Sequence, residues 1–292
     1  MSLALSASFA FDLDRAADAL LQFEAAALPQ QRIIEARARI AGSETINRVA
    51  AQDDIGERIW IHAQGRVEVR YEALVEVERA LTPLETLVAL PPHLLPGAAV
   101  KYLFDSRYCP SSQFIAFLEE RFANTGANAA TNHPTKGGAR IAAIRDWVAG
   151  HIAYTPGASG PETSATDTFH QRAGICRDFA HLFVTLARAS AIPARYVACY
   201  APGVTPQDFH AVAEVFLADP ESPTIGSWRL VDATGMADLT RAAIIGVGRD
   251  AGDVSFLTSF GPMRFASSAV AVERAESPAC GAHSPAPIAV EA

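Results

Sequence analysis

The 292-residue chain has no excess of basic charge, no long apolar run and little cysteine. Lys and Arg number 24 against 32 Asp and Glu, a net charge of -8, so the basic stripe that nucleic-acid phosphates select is missing. No apolar stretch approaches the ~20 residues that cross a bilayer, which argues against a membrane span. The opening MSLALSASFAFDLDRA lacks the basic segment and longer apolar core of a secretion signal. Its alternation reads as a strand, and a cytoplasmic location is the expectation. The four cysteines include no CxxC pair, and in a reducing compartment they are thiols rather than a disulfide framework. No internal repeat is visible.

What is present suffices for real cores: half of the residues are hydrophobic. The first hundred residues contain the alternating runs LALSASFAFDL, RIIEARARI, RIWIHA and VEVRYEALVEVE, broken by short polar turns. Such strands bury their inner faces in an antiparallel, sandwich-like β domain. PPHLLPGAAVKYL then interrupts the pattern and sets a boundary near residue 100. Residues 101–275 mix helices at about 111–123, 138–152 and 176–190 with strands near 194–201, 210–218 and 226–232, an α+β arrangement. Residues 276–292, rich in Pro, Ala and Ser, read as a flexible C-terminal tail.

The chemistry concentrates at Gly174-Ile-Cys-Arg-Asp-Phe-Ala-His181. From Cys176 the run CRDFAHLFVTLARASAIP places Phe179, Ala180, Phe183 and Ala187 on one helical face and Arg177, His181, Thr185 and Arg188 on another. Gly174 permits a sharp entry and Pro193 stops the helix, so Cys176 lies in its first turn. Unpaired N–H groups and aligned peptide dipoles favour negative charge there. The same N–H groups can hold the oxyanion formed when sulfur attacks an acyl carbon.

Two β-rich runs follow, around the turn Asp219-Pro-Glu-Ser-Pro223. A hairpin centred on Glu221 pairs residue numbers that total about 442, setting His210 opposite Asp232 on one face. A carboxylate so placed fixes which ring nitrogen keeps its proton, while the other nitrogen serves the nucleophile and leaving group. Taken singly, each residue has a plainer role: a buried thiol, a core histidine, a cap for the turn Ala233-Thr234-Gly235. Only together do they indicate catalysis.

Other candidates have weaker claims. Cys109 precedes Pro110, which disfavours a helix start, and Cys199 lies in the apolar strand ARYVACYAP. Cys280 belongs to the tail. His170, Cys176 and His181 match no standard zinc spacing. Asp178 suits the helix dipole, and His181, about 500° around the axis from Cys176, does not share its face. Glu214 follows His210 on the same strand face and either tunes the site or faces water. Trp147 belongs to an apolar helix face with Ile141, Ile144 and Val148, and Gln171 reads as a solvated loop residue.

The blocks GICRDFAHLFVTLARASAIPARYV, DFHAVAEVFL and WRLVDATG resemble the transglutaminase-like superfamily, in its bacterial cysteine-protease-like branch. SRYCPS, IRDWVAGHIAYTPGAS and IGVGRDAGDVSF extend the resemblance over roughly residues 100–270. It implies a papain-like α+β core behind an N-terminal β domain, with Cys176, His210 and Asp232 as the catalytic positions and no cofactor or metal. It also implies an acyl-thioester route shared by proteases, glutamine-crosslinking enzymes and peptide or glycan amidases. Fold alone does not choose among these. A thiol-dependent hydrolase of peptide or protein amides is the expectation, since no pattern indicates a second, water-excluding amine site. An acyl transferase, and a retired enzyme that binds peptides without turnover, stay open, and oligomeric state is not indicated.

Overall fold

The structure, a computed structural model, describes residues 2–122, 137–275 and 289–291. Cys280 and the remainder of the tail at 276–288 lie outside the described residues. The alternating runs of the first hundred residues are three very long strands, β1 (Ser2–Leu21), β2 (Gln31–Ala50) and β3 (Glu57–Val77). They form antiparallel ladders in which β1 pairs with β3 and β3 with β2. Leu3, Leu5, Ala7, Phe9, Phe11 and Leu13 of β1 all turn into one core, the outcome of period-two patterning. The ladders shift register between Leu13 and Ala17 and around Gly42. Gly42 has φ +86°, and a Cβ there would lie 2.1 Å from the Arg66 carbonyl oxygen, so the bend requires glycine.

The helical part follows in chain order. A single turn, α1 (Gly97–Val100), precedes α2 (Ile115–Phe122) and α3 (Gly138–His151). Next come β4 (Ala153–Tyr154), α4 (Ala165–Gln171), β5 (Ala173–Gly174) and α5 (Cys176–Ala189). Four strands follow, β6 (Ala194–Tyr200), β7 (His210–Ala218), β8 (Gly226–Val231) and β9 (Ala243–Gly248). They make an antiparallel sheet of order β8-β7-β6-β9, against which α5 packs through Phe179, Leu182, Phe183 and Leu186.

The chain then returns to its beginning. The strands β10 (Leu257–Ser259) and β11 (Met263–Ala275) both pair with β1, and β12 (Ala289–Glu291) runs parallel to β2. The antiparallel N-terminal β region expected from sequence is therefore one six-stranded sheet, completed by strands from the far end of the chain. Its core also takes in Tyr200, Ala243 and Ile245 of the smaller sheet, so the two sheets share buried apolar surface.

Both faces of α5 are buried. The polar face holds His181 and Thr185 with no exposed surface and Arg188 at 3%, which marks a central helix. Arg188 donates to the carbonyl oxygens of Phe104, Ala194 and Arg249, so its charge is satisfied by backbone.

Candidate active site

Cys176 opens α5, half-buried against Ala180, Tyr196, Ala211 and Val254. Ile175 is the N-cap but has no side-chain acceptor, and Asp178 supplies one by folding back to accept the Ile175 N–H at 2.8 Å. The Asp178 carboxylate is fully buried and also takes hydrogen bonds from Ser159 and from Arg177 at 3.0 Å. Arg177 in turn donates to Gly160 at 2.7 Å, tying the 159–160 loop over the helix start. Gly174 has its role here: a Cβ would lie 2.6 Å from that of Asp178 and 2.9 Å from its Oδ2. The glycine is required by this close approach rather than by the sharp turn that the sequence suggested.

The hairpin of β7 and β8 carries the other two residues. Its partners total 444 at every rung, from Ala213–Val231 to Ala218–Gly226, instead of the expected 442. A slip of two residues leaves every side chain on the face foreseen. Asp232 lies just beyond the last residue of β8 and meets His210 diagonally, with His210 Nε2 at 3.3 Å from Asp232 Oδ2. Asp232 also closes the turn after β8, accepting from Thr234 N–H at 2.8 Å, Thr234 Oγ1 at 2.7 Å and Ala237 N–H at 2.9 Å. Capping and pairing with the imidazole, weighed above as alternatives, are both made by one carboxylate.

Both side chains are almost wholly buried. Burial opposes charge on the ring, yet hydrogen bonding to Asp232 and to Cys176, with their charges, outweighs it and raises His210 to about 9. Burial likewise works against the Asp232 carboxylate, but His210, Thr234 and the Ala237 N–H hold it below its ordinary range. With Nε2 directed at Asp232, Nδ1 is left buried and without a conventional hydrogen-bond partner, on the ring that feels the Cys176 sulfur. The arrangement can relay a proton between a thiol and a third group.

Tyr154 belongs to this site and sequence reasoning missed it. The parallel pairing of β4 and β5 sets Tyr154 beside Gly174, two residues before the cysteine. Burial, together with the charge of Cys176 and hydrogen bonding to it, brings the phenol up to about 12. Its motif, IAYTPGAS, was visible; a two-residue parallel bridge has no periodic signature that would have put the ring there.

The remaining candidates are elsewhere. His181 is sealed between Tyr108 and Tyr196, with ring centroids at 5.1 and 5.2 Å, and its Nε2 accepts from Ala251 N–H at 3.1 Å. Burial, reinforced by nearby arginines, lowers it to about 3, a neutral core histidine. Glu214 does not face water: it is buried and ion-paired with Arg195 at 2.7 Å. Cys109 and Cys199 are fully buried, Trp147 is packed in the core beside α5, and Gln171 is exposed at the end of α4.

Residues 124–233, which span all three positions, match the family described as the transglutaminase-like superfamily. This segment is a transglutaminase-like core. The whole chain superposes on a crystal structure described as that of a "putative cysteine protease" from Cytophaga hutchinsonii, with TM-score 0.83 and 26% identity over 96% of this chain and 92% of the other. An uncharacterized protein of Mycobacterium leprae, ML0607, is 35% identical over 143 residues, 47% of this chain. That match spans about half of the mycobacterial protein, 49% of its length. The periplasmic domain of TgpA from Pseudomonas aeruginosa aligns only loosely, at TM-score 0.37 and 19% identity over 76% of this chain and 88% of the domain. The family match and the Cytophaga superposition agree on the fold of the segment that carries Cys176, His210 and Asp232. No helix among the described residues is long and apolar enough to cross a membrane.

Proposed function

We propose that the protein is a thiol-dependent amide-bond hydrolase, a peptidase or amidase, with Cys176 as nucleophile, His210 as acid and base, and Asp232 as the carboxylate that orients the ring. The observation that carries this reading is the asymmetry of His210: Nε2 is spoken for by Asp232, while Nδ1 is buried without a conventional hydrogen-bond partner, on a ring that interacts with the Cys176 sulfur. That is the division of labour required of a general acid that serves a thiol.

In the proposed cycle the Cys176 sulfur attacks the amide carbon, and a C–S bond forms as the carbonyl π electrons move onto oxygen. The Cys176 N–H at the start of α5 stabilises that oxyanion, and the Tyr154 hydroxyl, which interacts with Cys176, adds a second donor. The C–N bond then breaks as His210 Nδ1 delivers its proton to the departing amine. Water, deprotonated by the same nitrogen, attacks the thioester; carboxylic acid leaves and the sulfur recovers its starting state. Thioester resolution by water rather than by an amine is favoured because no second amine-binding site is evident among the described residues.

The test is turnover of a mixed peptide library, followed by mass spectrometry, with and without a primary amine. Carboxylate products that disappear in Cys176→Ala and His210→Ala support the hydrolase. Amine incorporation exceeding hydrolysis would assign transfer instead. A wild-type protein that binds library peptides and never cleaves or modifies them would refute both.

A further inference from the structure

Nine residues, Ala201 to Phe209, connect β6 to β7, and the last part of that stretch is fastened to the N-terminal sheet. The side-chain amide of Gln207 makes a two-way bridge to the backbone of Val272 in β11: Nε2 donates to the carbonyl oxygen at 3.0 Å, and Oε1 accepts the N–H at 3.0 Å. A side chain thereby takes the place of one residue of a neighbouring strand. Val272 is itself in register with Leu5 of β1, so the bridge is anchored on the edge strand of the larger sheet.

Two residues further on, Phe209 enters the same sheet's aromatic core. Its ring stacks on Phe256 at 5.0 Å, tilts against Tyr200 at 5.5 Å and meets the edge of Phe9 at 6.4 Å. Tyr200 is in turn pinned by donating to the Phe23 carbonyl oxygen at 2.5 Å. Between these anchors Asp208 accepts the Phe209 N–H at 2.8 Å, which tightens the chain just before the strand begins. His210 is the next residue.

We infer that Gln207 and Phe209 form a latch by which the N-terminal sheet sets the position of the His210 ring, making that sheet a working part of the active site. The inference rests on the proposed role of His210. Backbone hydrogen bonding to β6, where His210 pairs with Cys199, fixes the strand beyond the histidine; the latch fixes the chain ahead of it. Held from both sides, the ring keeps its diagonal contact with Asp232 and directs Nδ1 to the sulfur. Both latch residues are positioning residues, touching neither sulfur nor substrate.

The experiment measures the rate of Cys176 alkylation by iodoacetamide against pH in the full chain, site-resolved by mass spectrometry. His210→Ala is the reference for a lost histidine. Gln207→Ala and Phe209→Leu are expected to slow alkylation at about pH 6 by about ten-fold and to change the pH profile in the direction of His210→Ala, while near-ultraviolet dichroism stays native. Ile40→Val, which trims the same core on β2, a strand adjacent to neither β1 nor β11, is expected to keep the wild-type profile. If His210→Ala shifts the profile and both latch variants do not, the latch is wrong and the triad stands. If His210→Ala leaves the profile untouched, the catalytic reading itself fails. Gln207→Glu, isosteric and lacking only the donor side of the bridge, decides the matter if Phe209→Leu does not fold.

Discussion

His210 and Asp232 meet diagonally across the β7–β8 ladder, with 3.3 Å between Nε2 and Oδ2, and not as directly opposed partners. The contact survives the offset because Asp232 is swung and held by the turn it caps. The imidazole is therefore oriented by a carboxylate that cannot rotate without giving up three other hydrogen bonds.

Loss of that carboxylate should release the ring. Asp232→Asn is expected to return His210 from about 9 toward the ~6.5 of an ordinary histidine, followed by NMR titration of the ring. Turnover should fall by about 10²–10⁴, since the imidazolium loses its stabilising partner. A titration midpoint that does not move would remove Asp232 from the site.

The same shift has a signature in stability. A folded-state value of about 9 lies above the unfolded ~6.5, so the contribution is complete below about pH 6.5 and is lost as pH rises through about 9. Melting temperatures measured across this window should decline more steeply for wild type than for His210→Asn. Parallel curves would contradict the raised value.

Alkylation of the native protein should be selective. Cys109 and Cys199 have no exposed surface, and burial pushes the Cys109 thiol up to about 12. Among the described cysteines only Cys176 should react with iodoacetamide near neutral pH. Comparable labelling of Cys109 in folded protein would show that the core around α5 opens.

Removing the Tyr154 hydroxyl tests the proposed second donor. Tyr154→Phe keeps the ring beside Phe179, at 6.0 Å, so the fold should be unaffected. The turnover number is expected to fall by about ten- to a hundred-fold with little change in KM, the behaviour of a donor used in the transition state. An equal rise in KM with constant turnover would make it a substrate-binding group.

The start of α5 should be sensitive to small changes. Gly174→Ala places a methyl group against Asp178 and should cost about 1–3 kcal/mol, read by urea denaturation. Asp178→Ala strips the buried partners of Arg177, Ser159 and the Ile175 N–H and should cost about 3–5 kcal/mol. Little change in either variant would mean that the cap does not hold Cys176 in place.

Local chemistry made much of this legible in the sequence. Glycine before and proline after a periodic run bounded α5, alternation announced β1 to β3, and the turn at Asp219–Pro223 placed His210 and Asp232 on one face even though the register was two residues off. Period-two geometry forgives an even slip. Tertiary structure alone decided the rest: that Tyr154 stands beside Cys176, that Asp178 substitutes for a missing cap, that His181 is neutral and sealed in, and that β10, β11 and β12 complete a sheet begun at the other end of the chain. Each of these depends on contacts between distant segments, through a two-residue bridge, a folded-back side chain or a strand edge. A one-dimensional pattern records which face a residue prefers, but not which distant surface will cover it.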